Sequence, residues 1–433
     1  MSLESLCSAV SEERFGAAYG KVQSVMPYAV KVFVPDVRVG SMCVAKARGG
    51  SVPLEIVSLD PAGHVAMPLD DLGNVALGDR VSVQESSATI PVGDELLGKV
   101  IDSMCVPYEG EKLNLMGRAP LYGRPANPME RALITHPLDL GVRAVNACLT
   151  CGKGQRLGIF AGSGVGKSVL LGMMARYTAA DVVVIALIGE RGREVREFLE
   201  RDLGPTGRKK SVIVVETADK SPIRRARGAY TASAVAEHFR DRGANVLLMM
   251  DSLTRFAMAQ REIGLAAGEP PTSKGYTPSV FSTLSRLVER AGNWGKAGTI
   301  TGLYTVLVEG DDLEDPVADS ARAILDGHIV LSRRLANRGH YPAVDILSSI
   351  SRVMDQVVDR DHLRAARRLK ELLARYRENE DAIQYQMYER GTDPLIDECI
   401  GLEPRINQLL KQDRDEVATF AATKASLLEV CGA

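Results

Sequence analysis

One segment, Ala161-Gly-Ser-Gly-Val-Gly-Lys-Ser168, constrains the fold of this chain more than any other. It follows an apolar run, Arg156–Ala161, and it opens a stretch with helical character, Ser168–Tyr177. This is the context of a phosphate-binding loop, in which glycines let backbone N–H groups point at phosphates and the helix N-terminus adds a positive dipole. The motif usually begins with Gly, so Ala161 makes this the relaxed form. The segment predicts nucleotide binding at the edge of a parallel sheet.

Lys167 and Ser168 close this loop, and each has a defined task in loops of this kind. The Lys167 ammonium would reach the β- and γ-phosphates, and the Ser168 hydroxyl would bind Mg²⁺. A second carboxylate for the metal is expected at the end of another strand, and the apolar run Leu247–Asp251 ends in an acid. Asp251 is therefore the predicted metal-linked acid, although an aspartate there is also suited to cap the segment that follows.

A run of charged residues, Gly189-Glu-Arg-Gly-Arg-Glu194, follows the next apolar strand, Val182–Ile188. In a parallel sheet we expect this strand to lie beside the phosphate-loop strand, which would place Glu190 over the γ-phosphate. A carboxylate there can orient and polarise an attacking water, and Arg191 can hold developing negative charge. The competing interpretation is a solvated helix start with mixed charges, which is the commoner role of such clusters.

The 433 residues are enough for roughly two to four domains, and the pattern separates three. Residues 1–88 contain short valine-rich runs between Gly, Pro and Asp, which predicts a small antiparallel barrel or sandwich; one larger sheet is the alternative. Residues 89–347 alternate buried strands with helices, which is typical of a parallel α/β sheet. Residues 348–433 show helical spacing broken at Pro394 and Pro404, which predicts a helical bundle. The strands expected in the sheet are Arg156–Ala161, Val182–Ile188, Ser211–Glu216, Ala244–Asp251 and Thr299–Val308.

Composition excludes several classes of protein. Lys and Arg total 53 and Asp and Glu total 55, which gives a net charge of −2. This balance argues against a protein whose overall charge serves nucleic-acid binding. The 7 cysteines are odd in number and scattered, unlike a disulfide framework. The N-terminus lacks the basic and apolar regions of a signal peptide, and the longest apolar runs are too short to span a bilayer. We therefore expect a soluble protein of a reducing cytoplasm.

Two further clusters are more consistent with structural roles. Cys148-Leu-Thr-Cys151 has no second cysteine pair at zinc-ligand spacing and no nearby histidine, so we interpret both cysteines as packing residues. Five basic residues cluster in the C-terminal helical region, and a solvated face is the first interpretation, with an acidic partner or an anionic membrane surface as the alternative. They are Arg360, Arg364, Arg367, Arg368 and Lys370.

Five motifs occur together and in one order along the chain, and together they resemble the catalytic subunits of rotary ATPases. The motifs are Ala161–Ser168, Gly189–Glu194, Met250-Asp-Ser-Leu-Thr-Arg-Phe256, Gly310-Asp-Asp-Leu-Glu-Asp-Pro316 and Gly339-His-Tyr-Pro-Ala-Val-Asp345. Within that family, residues 159–168 and 339–346 resemble the ATPases of flagellar and type III protein export. The resemblance extends from about Gly20 to about Leu410. It implies a RecA-like P-loop NTPase core with a parallel sheet, an N-terminal β-barrel and a C-terminal helical domain.

The resemblance also assigns roles to single residues. Glu190 falls on the catalytic glutamate, Asp251 on the metal-linked acid and Arg255 on an arginine that organises the site. Tyr341 falls where the family stacks an aromatic ring on adenine, and Arg352 on the arginine that enters the neighbouring subunit's site. The catalytic set is then Glu190, Lys167, Arg191 and Arg352. The nucleotide-binding set is Gly162, Ser163, Gly164, Val165, Gly166, Lys167, Ser168, Val169, Arg255 and Tyr341, with Ser168 and Asp251 at the metal.

The function implied by the resemblance is ATP hydrolysis, with Mg²⁺, in a homohexameric ring that supports chaperone release, unfolding and export of proteins. Expected partners are export-gate membrane proteins, stalk and stator proteins and chaperone–cargo complexes, with no nucleic acid. The expected location is the cytoplasm, peripheral at the inner face of the cell membrane. Two alternatives are a hexameric RNA helicase of the transcription-terminator class and a non-catalytic ring subunit that binds nucleotide. The scarcity of aromatic residues between residues 19 and 83 argues against the first, and Glu190 against the second.

Overall fold

The computed structural model describes residues 19–123, 127–308 and 314–431. The N-terminal residues, for which no signal peptide is predicted, lie outside these ranges, as does most of the Gly310–Pro316 motif. Within the described ranges, no helix combines the length and the apolar character needed to cross a bilayer.

The first part of the described chain is a closed antiparallel barrel with the strand order β1-β2-β5-β4-β3-β6. Side chains alternate between its interior and its surface, so Val30 and Val32 are buried while Phe33 is exposed. The predicted barrel is confirmed, and the alternative of one larger sheet is wrong because the barrel closes on itself. Its strands are β1 Tyr19–Val25, β2 Val30–Phe33, β3 Met42–Ala47, β4 Gly50–Ser58, β5 His64–Pro68 and β6 Arg80–Glu85.

The centre of the molecule is a 9-stranded sheet, whose main path runs β19-β18-β12-β17-β15-β13-β14-β8. Neighbouring strands from β18 to β8 run parallel, while the short strands β19 and β16 pair antiparallel. Two further strand pairs, β7 with β9 and β10 with β11, form separate two-stranded sheets. The strands are β7 Thr89–Val92, β8 Val100–Ile101, β9 Gly117–Pro120, β10 Pro137–Leu138, β11 Cys151–Gly152, β12 Arg156–Ala161, β13 Val182–Ile188, β14 Ser211–Glu216, β15 Asn245–Asp251, β16 Gly292–Asn293, β17 Thr299–Leu307, β18 Gly327–Leu331 and β19 Ile350–Ser351.

The order of these strands corrects one expectation. The strand that follows the phosphate-loop helix, β13, does not lie beside the phosphate-loop strand β12, because β17 and β15 are inserted between them. The neighbour of β13 on that side is β15, which ends at Asp251. Glu190 therefore enters the site from beside Asp251 rather than from beside the loop itself.

Helices cover both faces of the sheet because β13 is apolar on both sides. Its residues Val183, Ile185 and Leu187 belong to one core, and the intervening residues belong to a second core on the opposite face. The first core includes α1, α2 and the C-terminal helices, and the second includes α5 to α8. The helices are α1 Arg143–Cys148, α2 Lys167–Tyr177, α3 Gly192–Glu197 (continued by a π-helical turn, Phe198–Leu203), α4 Gly204–Lys209, α5 Pro222–Arg240, α6 Leu253–Ala266, α7 Pro278–Val288, α8 Pro316–Ile324, α9 Arg333–Asn337, α10 Met354–Val357, α11 Arg360–Glu378, α12 Glu380–Gln384, α13 Pro394–Leu410 and α14 Phe420–Cys431.

The C-terminal region is helical, as predicted, but one of its expected breaks is wrong. Pro394 does begin a helix, where a missing N–H costs nothing. Pro404 lies inside α13, which continues to Leu410. A proline inside a helix removes one backbone hydrogen bond, and the buried side chains Ile406, Leu409 and Leu410 that follow it stabilise the helix against the core.

Candidate active site

The loop between β12 and α2 has the backbone of a phosphate-binding loop. Gly164 and Gly166 have φ angles of 75° and 89°, a region that residues with a Cβ rarely adopt. Lys167 begins α2 directly after Gly166, so the N-terminus of the helix faces the loop. The side chain of Val165 is 1% exposed, so this residue can contribute to phosphate binding through its backbone alone.

Three charged side chains converge beside this loop. The Lys167 ammonium forms an ion pair with the Asp251 carboxylate, and its Nζ lies 3.6 Å from Oε1 of Glu190. The three residues come from three elements, since Lys167 begins α2, Glu190 follows β13 and Asp251 ends β15. The fold therefore brings these three residues together beside the loop.

Glu190 has the electrostatic environment of a proton acceptor. Burial raises the pKa of Glu190, the neighbouring Asp251 charge raises it further and Lys167 opposes both, so that the pKa rises to about 7. A general base works best when its pKa is near the working pH. The carboxylate is thus suited to accept a proton at neutral pH.

Asp251 is held by a second partner that sequence reasoning missed. Thr305, fully buried at the end of β17, donates its hydroxyl to Asp251 Oδ1 at 2.7 Å. The strand also contains Thr299 and Thr301, so no signal in the sequence distinguished Thr305. The capping interpretation of Asp251 is not supported, because Ser252 accepts the Arg255 N–H as the N-cap of α6.

Ser168 and Asp251 offer the donor set that Mg²⁺ prefers. Both line one cavity of about 400 Å³, together with Lys167. Mg²⁺ in nucleotide sites is bound by one or two protein oxygens and by phosphate oxygens, with water completing its shell. A hydroxyl and a carboxylate at the phosphate loop fit that requirement.

The same cavity has an acidic wall that extends beyond the Gly189–Glu194 motif to Glu197 and Asp202. The wall comes from α3 and the π-helical turn after it, which also contributes Phe198 to the lining. Burial raises the pKa of Asp202 on this wall above its ordinary value. The complete lining is Gly162, Ser163, Gly164, Gly166, Lys167, Ser168, Val169, Leu187, Glu190, Arg191, Glu194, Val195, Glu197, Phe198, Asp202, Asp251, Arg255 and Leu307.

Two predicted arginines line the cavity in different ways. Arg255 packs its methylene groups against Gly189, within 3.3 Å of where a Cβ would lie, and Gly189 has a φ of +71°. A side chain at Gly189 would be strained by this φ and would crowd the Arg255 methylene groups, so glycine is favoured there. Arg191 is at the mouth, with a side chain 79% exposed and 3.6 Å from Glu194.

Tyr341 and Arg352 lie outside this cavity. The Tyr341 ring is 3.5 Å from the position that a Cβ on Gly166 would take, and the residue is 47% exposed. It therefore lies at the edge of the phosphate loop, beside solvent. Arg352 is exposed, and its guanidinium donates to the Arg322 carbonyl at 3.3 Å rather than to any residue of the cavity.

The remaining clusters from the sequence lie away from this site. Cys148 and Cys151 are buried free thiols, and burial raises the pKa of Cys148 to about 12 and that of Cys151 higher still. No group of three or more His, Cys, Asp or Glu side chains suited to a metal occurs within residues 19–123, 127–308 and 314–431. In the basic cluster, Arg368 pairs with Glu371 at 2.8 Å and with Glu398 at 2.5 Å, which favours the solvated-face interpretation.

Two family models match the chain in consecutive segments. Residues 141–351 match the nucleotide-binding domain of the ATP synthase alpha/beta family. Residues 358–429 match the C-terminal domain of the type III secretion ATPase EscN. The first match contains the cavity and the second contains the C-terminal helices.

The similarity to individual proteins extends over nearly the whole chain. A flagellum-specific ATP synthase of Bacillus subtilis is 48% identical over 100% of this chain and 99% of its own length. The assembled EscN ATPase of the enteropathogenic E. coli type III secretion system has a TM-score of 0.90 and 44% identity, covering 95% of this chain and 100% of that one. EscN in complex with its central stalk EscO gives a TM-score of 0.88 and 43% identity, with the same coverage.

Proposed function

The chain belongs to the flagellar and type III secretion ATPases of the ATP synthase alpha/beta family, and from that premise we propose how its residues hydrolyse ATP. The chain is an ATPase of flagellar or type III protein export. Its relatives support this function over both alternatives, an RNA helicase and a non-catalytic ring subunit. One observation carries the mechanism, namely that Lys167, Asp251 and Glu190 converge beside a phosphate loop.

In this mechanism the loop binds the phosphates of ATP. Backbone N–H groups of residues 162–168 and the N-terminus of α2 face the phosphate oxygens, and Lys167 exchanges its contact with Asp251 for the β- and γ-phosphates. Ser168 and Asp251 would hold Mg²⁺, which when bound neutralises charge on the β- and γ-phosphate oxygens. Thr305 keeps the Asp251 carboxylate in place when Lys167 leaves it.

Glu190 is the proposed general base. It orients a water molecule toward the γ-phosphate and accepts its proton, as a carboxyl group with a pKa of about 7 is suited to do. Arg255 contacts Gly189, the residue that precedes Glu190. Arg191, at the mouth of the cavity, helps to neutralise the charge of the phosphates.

Arg352 is proposed to act on the site of a neighbouring subunit. Its exposed position outside its own cavity supports this role, because an arginine supplied in trans must lie on the surface of the isolated chain. A closed ring is then required, and we propose a homohexamer. The relative EscN, which is described as assembled and in complex with a central stalk, supports a ring with a stalk partner.

The further partners follow from the same family membership. We propose that the ring binds stator and export-gate proteins and receives chaperone–cargo complexes, so that ATP hydrolysis supports chaperone release and unfolding. We propose accordingly that the chain works in the cytoplasm, peripheral at the inner face of the membrane. The limits proposed for the three domains, at residues 88 and 347, fall between β6 and β7 and just before β19.

The chemistry is tested by two substitutions that affect different steps. Glu190→Gln keeps the shape of the side chain but cannot accept the proton, so hydrolysis should fall by about 10²-fold or more while Mg·ATP affinity stays nearly intact. Lys167→Ala should weaken Mg·ATP binding as well. Steady-state hydrolysis and equilibrium nucleotide binding measure the two effects. Wild-type turnover by Glu190→Gln would exclude Glu190 as the base.

The ring is tested by mixing two variants that are each impaired in hydrolysis. Arg352→Ala should bind ATP normally but hydrolyse it at least about tenfold more slowly, a loss of about 1.4 kcal/mol in transition-state stabilisation. Mixed rings of Arg352→Ala and Glu190→Gln should regain activity, because some sites then combine an intact Glu190 with an intact Arg352. Specific activity of the wild type should also rise with protein concentration. No rescue in mixtures that demonstrably co-assemble would show that each subunit works alone.

A further inference from the structure

The link between α13 and α14 contacts the loop that carries Tyr341. The backbone N–H of Gln412, in this link, donates to the Tyr341 carbonyl at 3.0 Å. Gln412 is 5% exposed although it lies outside any helix or strand. A residue of the C-terminal region thus binds the backbone of a residue at the edge of the phosphate loop.

The side chain of Gln412 is fixed by hydrogen bonds of its own. Its amide nitrogen donates to the carbonyls of Gly141 and Glu416, each at 2.9 Å. Its amide oxygen accepts the backbone N–H of Arg143 at 2.8 Å. Both amide hydrogens are therefore used, and a carboxylate of the same shape would lose both bonds.

The surrounding residues tie the same link to the start of α1. The Arg143 guanidinium donates to the Leu409 carbonyl at 3.1 Å and forms an ion pair with Glu416. Asp139 accepts the backbone N–H of Phe420 at 2.7 Å. The link is thus held at both ends, and Gln412 is placed so that its N–H reaches Tyr341.

We propose that Gln412 is a positioning residue for the nucleotide base, acting through the Tyr341 carbonyl to hold the Tyr341 ring against the edge of the phosphate loop. This inference rests on the proposed role of Tyr341 in the function described above. The ring itself is half exposed and packs on Gly166, so its position depends on how its backbone is held. The phosphate loop is bound to the rest of the core independently of Gln412, through β12 and α2. Loss of the Gln412 side chain should therefore weaken base binding and leave phosphate binding intact.

The test compares a ligand that has a base with one that lacks it. Gln412→Glu should weaken Mg·ADP binding by about fivefold, which is less than the usual cost of losing a whole stacking contact with a base. It should change Mg·pyrophosphate binding less than about twofold. Isothermal titration calorimetry gives both dissociation constants, and neither ligand is hydrolysed by the proposed chemistry. In steady-state assays the KM for ATP should rise while kcat stays within about twofold. Gln408→Glu is the matched control, since Gln408 is exposed one turn earlier on α13 and should change nothing.

Tyr341→Ala separates this inference from the function on which it rests. If Tyr341→Ala weakens ADP binding and Gln412→Glu does not, the role of Gln412 is overturned while the role of Tyr341 stands. If Tyr341→Ala has no effect on ADP, the role of Tyr341 fails and the inference fails with it. Equal loss of ADP and pyrophosphate binding in Gln412→Glu would also overturn it. If Gln412→Glu does not fold, Gln412→Met, which introduces no buried charge, replaces it. The same weakening of Mg·ADP binding and the same nearly unchanged Mg·pyrophosphate binding are expected.

Discussion

The barrel and the C-terminal helices both pack against the central domain through apolar side chains, but the barrel contact also contains a buried charge pair. Glu55 of the barrel and Arg227 of α5 form an ion pair at 2.6 Å in which each side chain is 1% exposed. Tyr122 donates its hydroxyl to the same carboxylate. Beside this pair, the hydroxyl of Ser221 donates to the Leu69 carbonyl at 2.8 Å. Separating these groups would leave a charge buried without its partner.

Near Tyr341 the contact of the C-terminal helices combines the buried Gln412 link with ion pairs whose arginines are partly exposed. Arg377 reaches Asp345 at 2.9 Å with 34% of its side chain exposed, and Glu380 pairs with Arg334 and Arg338, which are 46% and 52% exposed. A cavity of about 290 Å³ here is lined by residues of α11 and α13 and by residues between positions 334 and 347. Exposed ion pairs contribute little to the free energy of unfolding, and water easily replaces them. The comparison indicates that the barrel contact depends on a buried charge pair, whereas the ion pairs of α11 and α12 contribute little to the attachment of the helical region.

The largest expected effect on the free energy of unfolding is that of substituting Arg227. Arg227→Met removes the charge that compensates Glu55 inside the protein, so we expect a loss of about 3–5 kcal/mol in the free energy of unfolding, measured with denaturant. The double variant with Glu55→Leu should recover much of that loss, because no charge is then left unpaired. A single variant within about 1 kcal/mol of the wild type would contradict the assignment of a buried, rigid contact.

At the contact of the C-terminal helices, the expected loss in the free energy of unfolding is smaller. Arg377→Ala should lower the free energy of unfolding by about 1 kcal/mol or less, because the arginine is partly exposed. Burial raises the pKa of Asp345, but hydrogen bonds from Arg377 and Ser348 outweigh it, so the net pKa is lowered. The contribution of this pair is then present above the ordinary aspartate pKa and is lost as the pH falls through the lowered value. The difference between wild type and Arg377→Ala should accordingly shrink in acid, which denaturation at neutral and at low pH would reveal.

The smallest effect is expected for the most exposed pair. Arg338→Ala removes one of two arginines on Glu380 and leaves Arg334 in place, so the loss should be about 0.5 kcal/mol or less. The effect should vanish at high salt, which screens exposed charges. A larger or salt-independent loss would mean that the helical contact is as firmly built as the barrel contact.

The sequence predicted the parts of the site that follow strand ends. Lys167, Asp251 and Glu190 each stand beside a strand end that an apolar run identified, with bounds within one residue of those observed for β12, β13 and β15. The neighbours of each strand were not predictable in the same way, because an apolar run does not state which strand lies next to it. Insertion of β17 and β15 beside β12 is a property of the whole sheet.

Contacts between distant parts of the chain were likewise beyond the sequence. Thr305 meets Asp251 across 54 residues, and Gln412 meets Gly141 across 271. A threonine in a strand and a glutamine in a link have many ordinary roles, so neither residue type indicates its partner. The buried pair of Glu55 and Arg227 was missed for the same reason, since charged residues are usually placed on the surface.

The burial of the cysteines has a consequence for covalent chemistry. Burial raises the pKa of Cys43 and of Cys431 to about 11, and that of Cys148 to about 12. Each two-unit rise reduces the reactive thiolate by about a hundredfold at neutral pH, before any shielding by the fold. With Cys7, which lies outside the described residues, changed to Ser, a cysteine introduced at the exposed Gln408 would alkylate far ahead of these native thiols. After the change at Cys7, the native thiols would react little, so a single spectroscopic label could be attached to the C-terminal helices.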